Sequence, residues 1–504
     1  MPSTDPATDR PAVLAELDRR IGHLASPRVA VLVDGKAHPA VAAIEAWRPG
    51  CVVRLDIGAE PPRLHVRLAA KGPYDAVVDL VPRGGAWRVG RLLPHLRPGG
   101  VWVRRTVADQ DSVEVVTARD DAAAIVGDAE AADLLALDPG RGTVLEVLPG
   151  ATWAVRGRLR TSGPMPANPT PGEYAAPPMF LRDYRDVVCL PRQVVVGRNV
   201  VLPESFTTVE EHRQRNVALD KLSPDFARSP VPAAEPVPLP GRWFHLDNHL
   251  GWHFGHALTE QVSHLWGWRR VHAEDPSVRA LVFADSGELT PWQRDLFAAG
   301  GVPPDSVHVA TAPVRVERLV GCTPMFSRPA YAHPALLETY DQISAALSAR
   351  AGQGPWPRKV FFGRRGPKRA CVNAAELEAE FTAAGFEIVF PEDHPLPRQV
   401  ELVRRAEVLA GYAGSAMFHV ALAGGPKHVV LVVSESYPAH NEYLMSMLLG
   451  HQLDVVVCAP LVPRVDGLFT RESFHSDFAY RPEREGVFLR AVLAGTEPRG
   501  WQPD

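Results

Sequence analysis

The sequence predicts an α/β protein built from Rossmann-like units, and three features carry this prediction. Continuous apolar runs, such as those at 28–34 and 428–434, are typical of strands that are buried on both faces. Helical stretches alternate with such runs in residues 1–150 and again after residue 359, which favours parallel sheets. Proline-rich stretches at 164–178, 230–240 and 352–357 are expected to be extended connectors, the last of them a hinge between two lobes.

Length and composition narrow the class of protein. A chain of 504 residues has room for about three domains, and its net charge of −4 argues against nucleic acid as a partner. The N-terminus lacks the features of a secretion signal, and no apolar run approaches the ~20 residues that span a bilayer. The five cysteines form no C-x-x-C pair, so neither a disulfide framework nor a cysteine zinc site is indicated. The cysteine pattern favours a reducing cytoplasm, and the high alanine, arginine, proline and valine content is typical of a bacterial protein. No integral membrane segment is expected, and whether the chain forms a homo-oligomer is left open.

Residues 1–150 are expected to form an N-terminal Rossmann-like accessory domain. Strand signals at 28–34, 51–57 and 74–82 precede a helix–PGG–strand pattern at 91–105, which resembles the late part of a class I methyltransferase domain. The turn after the first strand contains only Gly35, so its backbone cannot close on a nucleotide or methionine group. We interpret the domain as degenerate and structural rather than as an active methyltransferase.

The rest of the chain is expected to contain three further segments. Residues 151–240 are a β-rich and proline-rich connecting segment, residues 241–352 an N-terminal lobe, and residues 353–504 a C-terminal lobe with a tail. The C-terminal lobe has the clearest pattern, with strand runs at 359–365, 386–390, 407–413, 428–434 and 454–460 and helical stretches between them. Five strands that alternate with helices predict a parallel sheet.

The first candidate site is a histidine-rich helix at about 248–268, with an N-cap at 247–248. At 100° per residue, Glu260 and His264 fall about 20° to either side of His253, so that one face of the helix is ionisable. Three interpretations stay open: a solvated or core face, a general base for a hydroxyl, or a metal site made from His249, His253, His256 and Glu260. The spacing is not H-E-x-x-H, which argues against the metal site.

The second candidate site is the basic loop RKVFFGRRGPKR at 358–369, in which six of twelve residues are cationic. Arg364 and Arg365 follow a predicted strand, at the carboxyl end where open α/β sheets bind ligands. A run of surface cations is usually only solvated. After a buried strand, however, guanidinium groups are suited to neutralise a nucleoside-diphosphate leaving group.

The third candidate site is the turn after the strand at 407–413. Gly411 ends the strand, Gly414 forms the turn, and a helix is expected from Ser415, with His419 one turn into it. Free N–H groups at a helix start bind anions, and glycine lets a phosphate approach closely. Small residues at this position also serve packing alone in many Rossmann-like folds, and His419 fits helix packing as well as donor contact.

Taken together, these pieces resemble the family 61 glycosyltransferases over about residues 185–465. The family has a histidine, an aromatic residue and a glutamate at the spacing of His253, Phe254 and Glu260. Its C-terminal lobe begins with a strand ending in Ser-Arg-Arg, then an arginine and Asn-Glu. The corresponding and further matching positions are Gly363, Arg364, Arg365, Arg369, Asn373, Gly385-Phe386, Pro391-Glu392, Gln399, Ala406 and the turn from Gly411 to His419. Three positions depart from the family: Ala413 replaces a histidine, His419 an asparagine, and Ala374 a glutamate.

The resemblance implies a GT-B-like pair of Rossmann-like lobes with an active cleft between them, and an inverting single displacement without a bound metal or other cofactor. It implies a nucleotide-sugar donor, expected to be a UDP-sugar, and a hydroxyl-bearing acceptor, either a glycan or a small molecule. The candidate bases are Glu260, His253 and Asp247. The candidate donor-binding residues are Arg364, Arg365, Lys368, Arg369, Gly411, Gly414, Ser415 and His419.

Two alternatives accompany this expectation. The substitution at Ala413 favours a non-catalytic sugar-nucleotide-binding or assembly protein of the same fold. Residues 1–150 suggest a bifunctional methyltransferase–glycosyltransferase. The metal-dependent glycosyltransferase architecture requires a D-x-D motif in the catalytic domain. The clear instance here, Asp109-Gln110-Asp111, lies in the N-terminal domain, which argues against that architecture.

Overall fold

The computed structural model is an α/β protein, as the sequence predicts. It describes residues 12–35, 38–57, 61–81, 92–105, 113–118, 123–163, 172–206, 216–223, 225–228, 230, 235–366, 368–464 and 470–496. The Asp109-Gln110-Asp111 motif and two parts of the proline-rich stretches, 164–171 and 231–234, lie outside the described residues. No helix within the described ranges combines the length and the apolar content needed to cross a bilayer.

The chain divides into two compact units, each assembled from separate stretches of sequence. Unit 1 comprises residues 1–147, 180–245 and 310–323, and unit 2 comprises residues 148–179, 246–309 and 324–504. The domain limits expected from the sequence remain a prediction. All residues of the three candidate sites belong to unit 2.

Unit 1 contains a few helices and many short strands. Its helices are Ala12–Ile21, Pro39–Trp47, Pro61–Lys71 and Asp128–Leu137, with 3-10 turns at Leu93–His95, Pro139–Arg141 and Pro203–Ser205. Its strands are Val29–Val33, Val52–Asp56, Tyr74–Asp79, Leu96–Arg105, Val113–Thr117, Ala123–Ile125, Gly142–Leu148, Met179–Leu190, Val194–Gly197, Val200–Val201, Asp220–Ser223, Phe226–Arg228, Val237–His245 and Val314–Cys322.

The first sheet of unit 1 explains the apolar runs near the N-terminus. Its strand order is 52–56, 29–33, 74–79, 96–105 and 113–117, and only the last strand is antiparallel to its neighbour. Val29, Val31 and Val33 belong to the core on one face, whereas Ala30 and Leu32 belong to the core on the other. Because both faces are covered, every position of this strand is apolar.

The second sheet of unit 1 includes a strand that the sequence did not predict. Part of the proline-rich stretch at 230–240 was expected to be a connector, but Val237–His245 is a strand parallel to Val314–Cys322. Pro238 and Pro240 alternate with residues that retain their N–H groups. N–H groups of alternate residues point to the same side of a strand, so these prolines remove donors on one side only.

Unit 2 carries longer helices around a parallel sheet. Its helices are Leu265–Glu274, Pro291–Ala299, Leu336–Ser348, Ala374–Ala383, Leu396–Arg405, His440–Leu449, Arg471–His475 and Glu485–Leu493, with 3-10 segments at Pro304–Ser306, Pro391–Asp393 and Ser415–Leu422. Its strands are Ala151–Ala154, Arg158–Thr161, Glu173–Ala176, Arg279–Phe283, Val307–Ala310, Phe326–Ser327, Tyr331–Ala332, Lys359–Phe362, Glu387–Val389, Val408–Tyr412, His428–Ser434, Gln452–Pro460 and Phe478–Ala479.

The main sheet of unit 2 contains the five parallel strands that the sequence predicts. Their order is 387–389, 359–362, 408–412, 428–434 and 452–460. Strand Arg158–Thr161, from the expected connecting segment, extends this sheet by pairing in parallel with 452–455. The carboxyl ends of strands 359–362 and 408–412, which are neighbours, lead directly into the basic loop and the Gly414 turn. The sheet therefore brings the second and third candidate sites together.

Candidate active site

The histidine-rich helix begins irregularly. It starts with one turn at Phe254–His256, continues as a π-helix over Ala257–Gln261 and a 3-10 turn over Val262–His264, and becomes α-helical at Leu265–Glu274. The N-cap is His253, so the N-cap predicted at 247–248 is wrong. Helices with π geometry are rare in proteins and are often found at functional sites.

The three side chains that a regular α-helix would group on one face, His253, Glu260 and His264, have different surroundings in the structure. The ring of His264 is buried, with Nδ1 3.0 Å from the backbone oxygen of Glu260. The partner of the Glu260 carboxylate is instead His256, four residues earlier, with Nδ1 2.6 Å from Oε2.

Glu260 and His256 form a mostly buried acid–base pair, because Glu260 is only 3% exposed. Burial raises the pKa of Glu260, but the hydrogen bond with His256 and the charges of His256 and Arg328 lower it by more, so its pKa lies below the ordinary value. The second carboxylate oxygen, Oε1, lies 3.9 Å from Nε of Arg328. Glu260 is therefore an ionised carboxylate at neutral pH.

The other two candidate bases occupy different positions. His253 lies at the surface with its ring centroid 5.1 Å from that of His256. Partial desolvation of its ring by neighbouring residues, together with the charges of His256 and Lys368, lowers the pKa of His253. Asp247 is buried, and its Oδ1 accepts a hydrogen bond of 3.0 Å from the backbone N–H of Phe283, which anchors strand 279–283. In the part of the chain that the structure describes, no three His, Cys, Asp or Glu side chains converge as a metal site would require.

Arg364 is mostly buried and is bound to backbone carbonyls. Its Nη1 donates to the carbonyl oxygens of Lys368, at 3.3 Å, and Arg369, at 3.0 Å. Its Nη2 donates to those of Tyr412 and Ala413. Burial, together with the charge of Arg369, lowers the pKa of Arg364 to about 10. This guanidinium thus joins the basic loop to the turn at Gly414.

Arg369 presents its guanidinium in a different way. Its Cζ lies 4.3 Å from the ring centroid of Tyr437 and 5.1 Å from that of Phe474, so two aromatic faces hold the cation. Its Nε is buried without a hydrogen-bond partner among the described residues. A guanidinium that is fixed by stacking keeps N–H groups for an anionic ligand.

Arg365 and Lys368 lie at the exposed rim of the loop. Arg365 forms a bidentate ion pair with Asp393, with Nη2 2.8 Å from Oδ2, and stacks on Phe390 with its Cζ 4.0 Å from the ring centroid. The hydrogen bond to Asp393 raises the pKa of Arg365. Lys368 is exposed and lines the same cavity as Arg369. Of the two, Arg365 is already paired with a carboxylate.

The glycines of the third candidate site have packing roles. A Cβ at Gly411 would lie 2.6 Å from Sδ of Met417 and 2.9 Å from the carbonyl oxygen of Phe362. Gly414 has φ 140°, and its N–H donates to Oε1 of Glu442 at 2.7 Å. The N–H of Gly414 is therefore already bound to Glu442. Ser415, the next residue, begins a 3-10 helix rather than the expected α-helix.

A cavity of about 290 Å³ opens between the basic loop and this turn, lined among others by Arg364, Lys368, Arg369, Tyr412 and Ser415. It lies at the carboxyl end of the parallel sheet, where open α/β sheets bind ligands. Unit 1 has a larger cavity of about 650 Å³, but that one is lined by residues just before its strands 29–33 and 52–56. It lies at the amino ends of parallel strands, which is the less usual place for a ligand.

The histidine-rich segment packs directly against this cavity within unit 2. The ring of Phe254 stacks on that of His419, with centroids 4.8 Å apart and planes 24° apart. A Cβ at Gly255 would lie 2.8 Å from Oγ of Ser415, so only glycine allows this approach. His419 is buried, and burial lowers its pKa to about 4, so it is a neutral packing residue. The structure therefore brings all three candidate sites together.

Several residues of this neighbourhood were missed by the sequence analysis as site residues. The i,i+4 spacing of His256 and Glu260 was a signal for their pairing. Glu442 is buried under the Gly414 turn, and burial raises its pKa to about 7. No local pattern indicated Glu442, Tyr437, Phe474 or Arg328, because their contacts are with residues far away in the chain.

Comparison with known protein families supports the resemblance seen in the sequence. Residues 254–430 match the family model described as Glycosyltransferase 61. No curated protein matches the chain. The matched range contains Phe254, Glu260, the basic loop and the Gly414 turn, which are among the features that carried the resemblance, whereas His253 lies one residue before it. Residues 254–430 are therefore similar to the glycosyltransferase 61 family.

Proposed function

We propose that this protein transfers a sugar, with inversion, from a nucleotide-sugar donor to a hydroxyl group of an acceptor, and that the donor is a UDP-sugar. The proposal is carried by one contact, between the histidine-rich segment that contains Glu260 (the base segment) and the cavity beside the basic loop (the cationic cavity). Phe254 packs on His419, and Gly255 packs on Ser415. This contact joins the segment that contains an ionised carboxylate to the cavity that contains fixed cations, and inverting transfer requires both. The family match over residues 254–430 supports glycosyl transfer as the reaction class.

Glu260 is the proposed general base. As the acceptor oxygen bonds to the anomeric carbon, its proton passes to the Glu260 carboxylate, and the bond from that carbon to the diphosphate breaks on the opposite face. Such a step inverts the configuration, and a positioned base contributes roughly a hundredfold to ten-thousandfold to the rate. His253 is the second candidate. Asp247 ranks third because its Oδ1 already accepts the N–H of Phe283.

His256 is a positioning residue for this base. Its hydrogen bond to Oε2 fixes the orientation of the carboxylate. The other oxygen, Oε1, is then the one that accepts the proton of the acceptor hydroxyl. The same bond favours the ionised form of Glu260, which keeps the base ready at neutral pH.

The leaving diphosphate is assigned to Arg369 and Lys368, with Arg365 at the rim. The stacked Arg369 is pre-organised for an anion and offers its N–H groups without prior movement. Arg364 has a supporting role, because its Nη1 and Nη2 already donate to four carbonyl oxygens. Ser415 is the proposed backbone donor, since the N–H of Gly414 is bound to Glu442.

We also propose a GT-B-like organisation, in which the sheet at 359–460 belongs to the nucleotide-binding lobe and the histidine-rich segment to the acceptor lobe. In this scheme the fixed cations Arg369 and Lys368 supply the positive charge for the leaving group, so no metal ion is needed for that task. The N-terminal Rossmann-like unit is assigned a docking role.

The second candidate function is a non-catalytic sugar-nucleotide-binding protein. Ala413, where the family usually has histidine, favours it, and so does the engagement of the Gly414 N–H by Glu442. Such a protein would bind the nucleotide sugar through the same cavity but would neither hydrolyse nor transfer the sugar.

Donor binding and turnover of the full chain test the proposal. A thermal-shift screen against nucleotides and UDP-sugars, followed by a UDP-release assay with an acceptor panel, is expected to identify one donor and its transfer. Arg369→Gln should weaken donor affinity at least tenfold. Arg358→Gln is the matched control, since Arg358 precedes the same strand at its amino end and pairs with Glu407. If no nucleotide or nucleotide sugar stabilises the protein, the proposal fails; binding without any turnover selects the second candidate.

A further inference from the structure

Arg328 lies beside the carboxylate oxygen of Glu260 that is not bound to His256. Its Nε is 3.9 Å from Oε1 of Glu260, which is too long for a hydrogen bond. The side chain of Arg328 is 45% exposed, so an ion pair at this distance contributes little to stability. In the part of the chain that the structure describes, this guanidinium donates no hydrogen bond. Its N–H groups therefore remain for a ligand that approaches Glu260.

The hairpin that carries Arg328 is attached to the base segment. Its strands, Phe326–Ser327 and Tyr331–Ala332, pair in antiparallel fashion, and Arg328 directly follows the first of them. The backbone N–H of Met325 donates to the carbonyl oxygen of Ser263 at 3.2 Å, which joins the start of the hairpin to the base segment. The first strand also packs against the π-helical turn of that segment. The main chain at Arg328 is therefore held next to the proposed base.

The geometry of an inverting displacement puts Arg328 on the acceptor side. The base and the leaving group lie on opposite faces of the anomeric carbon, so a cation beside the base oxygen is distant from the bond that breaks. A hydroxyl that donates to Oε1 of Glu260 lies no more than about 7 Å from Nε of Arg328, because it is a hydrogen bond away from Oε1. A substituent near that hydroxyl is therefore within reach of the guanidinium N–H groups.

The charge of Arg328 also has to be balanced during the reaction. Among the described residues, Glu260 supplies the carboxylate within 4 Å of this guanidinium. When Glu260 accepts the proton of the acceptor hydroxyl it becomes neutral, whereas arginine stays charged at any pH of interest. A negative group on the acceptor would then compensate the cation, and a guanidinium binds a carboxylate or a phosphate through two parallel N–H groups.

We propose that the acceptor carries an anionic group, a carboxylate or a phosphate, near the hydroxyl that receives the sugar, and that Arg328 is the specificity-determining residue that binds this group. This inference rests on the proposed function and specifies the chemical class of its acceptor. The competing assignment is that Arg328 binds the leaving diphosphate. The structure favours the acceptor side, because Arg369 and Lys368 line the cationic cavity and Arg328 is not part of that lining.

The test measures binding of matched acceptor pairs to the wild-type full chain, Arg328→Gln and Arg328→Lys. One series pairs oligosaccharides that contain uronic acids with their carboxyl-reduced forms, and the other pairs phosphorylated oligosaccharides with their phosphatase-treated forms. Acceptor dissociation constants are measured without donor, and the donor dissociation constant is measured on the same preparations. Arg350→Gln is the matched control, because Arg350 is similarly exposed, pairs with Asp295 and loses the same charge.

The wild type should bind the anionic member of a pair roughly 10- to 100-fold more tightly than the neutral member. In Arg328→Gln this ratio should fall to about one, and Arg328→Lys should keep part of it, because the charge remains but the planar fork is lost. Arg350→Gln should keep the wild-type ratio. A merely structural role of Arg328 would weaken the binding of both members alike and leave the ratio unchanged.

Three results overturn the inference: no binding of the wild type to either member of any pair, equal affinity of the wild type for both members, or an unchanged ratio in Arg328→Gln. A weaker donor affinity in Arg328→Gln, with the acceptor ratio intact, would assign Arg328 to the leaving diphosphate instead. Because acceptor binding is measured without turnover, the two proposals can fail separately. A preference for anionic acceptors that depends on Arg328, in a protein without transferase activity, contradicts only the proposed function.

Discussion

Replacement of Gly414 by alanine tests how the turn beside the cavity is built. Gly414 has φ 140° and ψ −167°, a backbone region that is essentially restricted to glycine and costs of the order of 1–3 kcal/mol for other residues. An added Cβ would also lie 2.7 Å from Nη2 of Arg364, and that guanidinium is held by four carbonyl oxygens. A displacement of the Arg364 guanidinium breaks at least one charge-assisted hydrogen bond, which contributes about 1.5–3 kcal/mol. We therefore expect Gly414→Ala to lose roughly 3–5 kcal/mol of local stability.

Hydrogen exchange followed by mass spectrometry measures this loss directly in peptides from the basic loop and from the Gly414 turn. Gly366→Ala is the matched control, since Gly366 lies in the same loop, has no positive φ and has open space where a Cβ would stand. Donor affinity, measured in parallel, should fall in Gly414→Ala. Wild-type exchange rates and wild-type donor affinity in Gly414→Ala would refute the argument that this turn requires glycine and a fixed Arg364.

Two further predictions concern pH. His256→Ala removes the hydrogen bond that lowers the pKa of Glu260, so burial should then raise this pKa. The fall of kcat/KM on the acid side of the pH profile should therefore begin at a higher pH. An acid side that is unchanged would contradict the pairing of His256 with Glu260. Burial raises the pKa of Glu442 from 4.5 to about 7, so the folded state holds this proton more tightly and stability is lost as the pH rises through 7. The measured quantity is the free energy of unfolding in urea of Glu442→Gln minus that of the wild type. This difference should rise between pH 5 and pH 8 by up to about 3 kcal/mol in favour of the variant. An equal difference at both pH values would argue against the raised pKa of Glu442.

The parallel sheet of unit 2 could be predicted because burial on both faces leaves a direct trace in the sequence. Strands 359–362, 408–412 and 428–434 each coincide with a continuous apolar run. The carboxyl ends of two of these strands then place the basic loop beside the Gly414 turn, which follows from strand order alone. That these two candidate sites lie close together could therefore be predicted from the sequence.

The geometry of the base segment was not accessible in this way. Angular positions computed for a regular α-helix fail at Ala257–Gln261, because a π turn takes in one more residue and shifts every later side chain around the axis. Side chains that bond back to the main chain, such as Thr259 to the carbonyl oxygen of Gly255, take part in this irregularity. The periodicity of a single sequence does not report such a π turn.

The division of labour among the arginines could not be predicted either. Arg364, Arg365 and Arg369 share one loop and one residue type, and the sequence treats them alike. Their partners decide their roles: backbone carbonyls for Arg364, Asp393 for Arg365, and the rings of Tyr437 and Phe474 for Arg369. Most of these partners are distant in sequence, and nothing in the loop itself reveals them.

The central claim is that Glu260 removes the acceptor proton beside a cationic donor cavity, and Glu260→Gln tests it most directly. The measurement is the single-turnover rate of sugar transfer at pH 7, with the donor dissociation constant determined on the same preparation. Glutamine keeps the size of the side chain and can still bond to His256, but it cannot accept the proton. We predict that transfer slows by roughly a hundredfold to ten-thousandfold while the donor dissociation constant stays within twofold of wild type. Transfer at the wild-type rate would contradict the account.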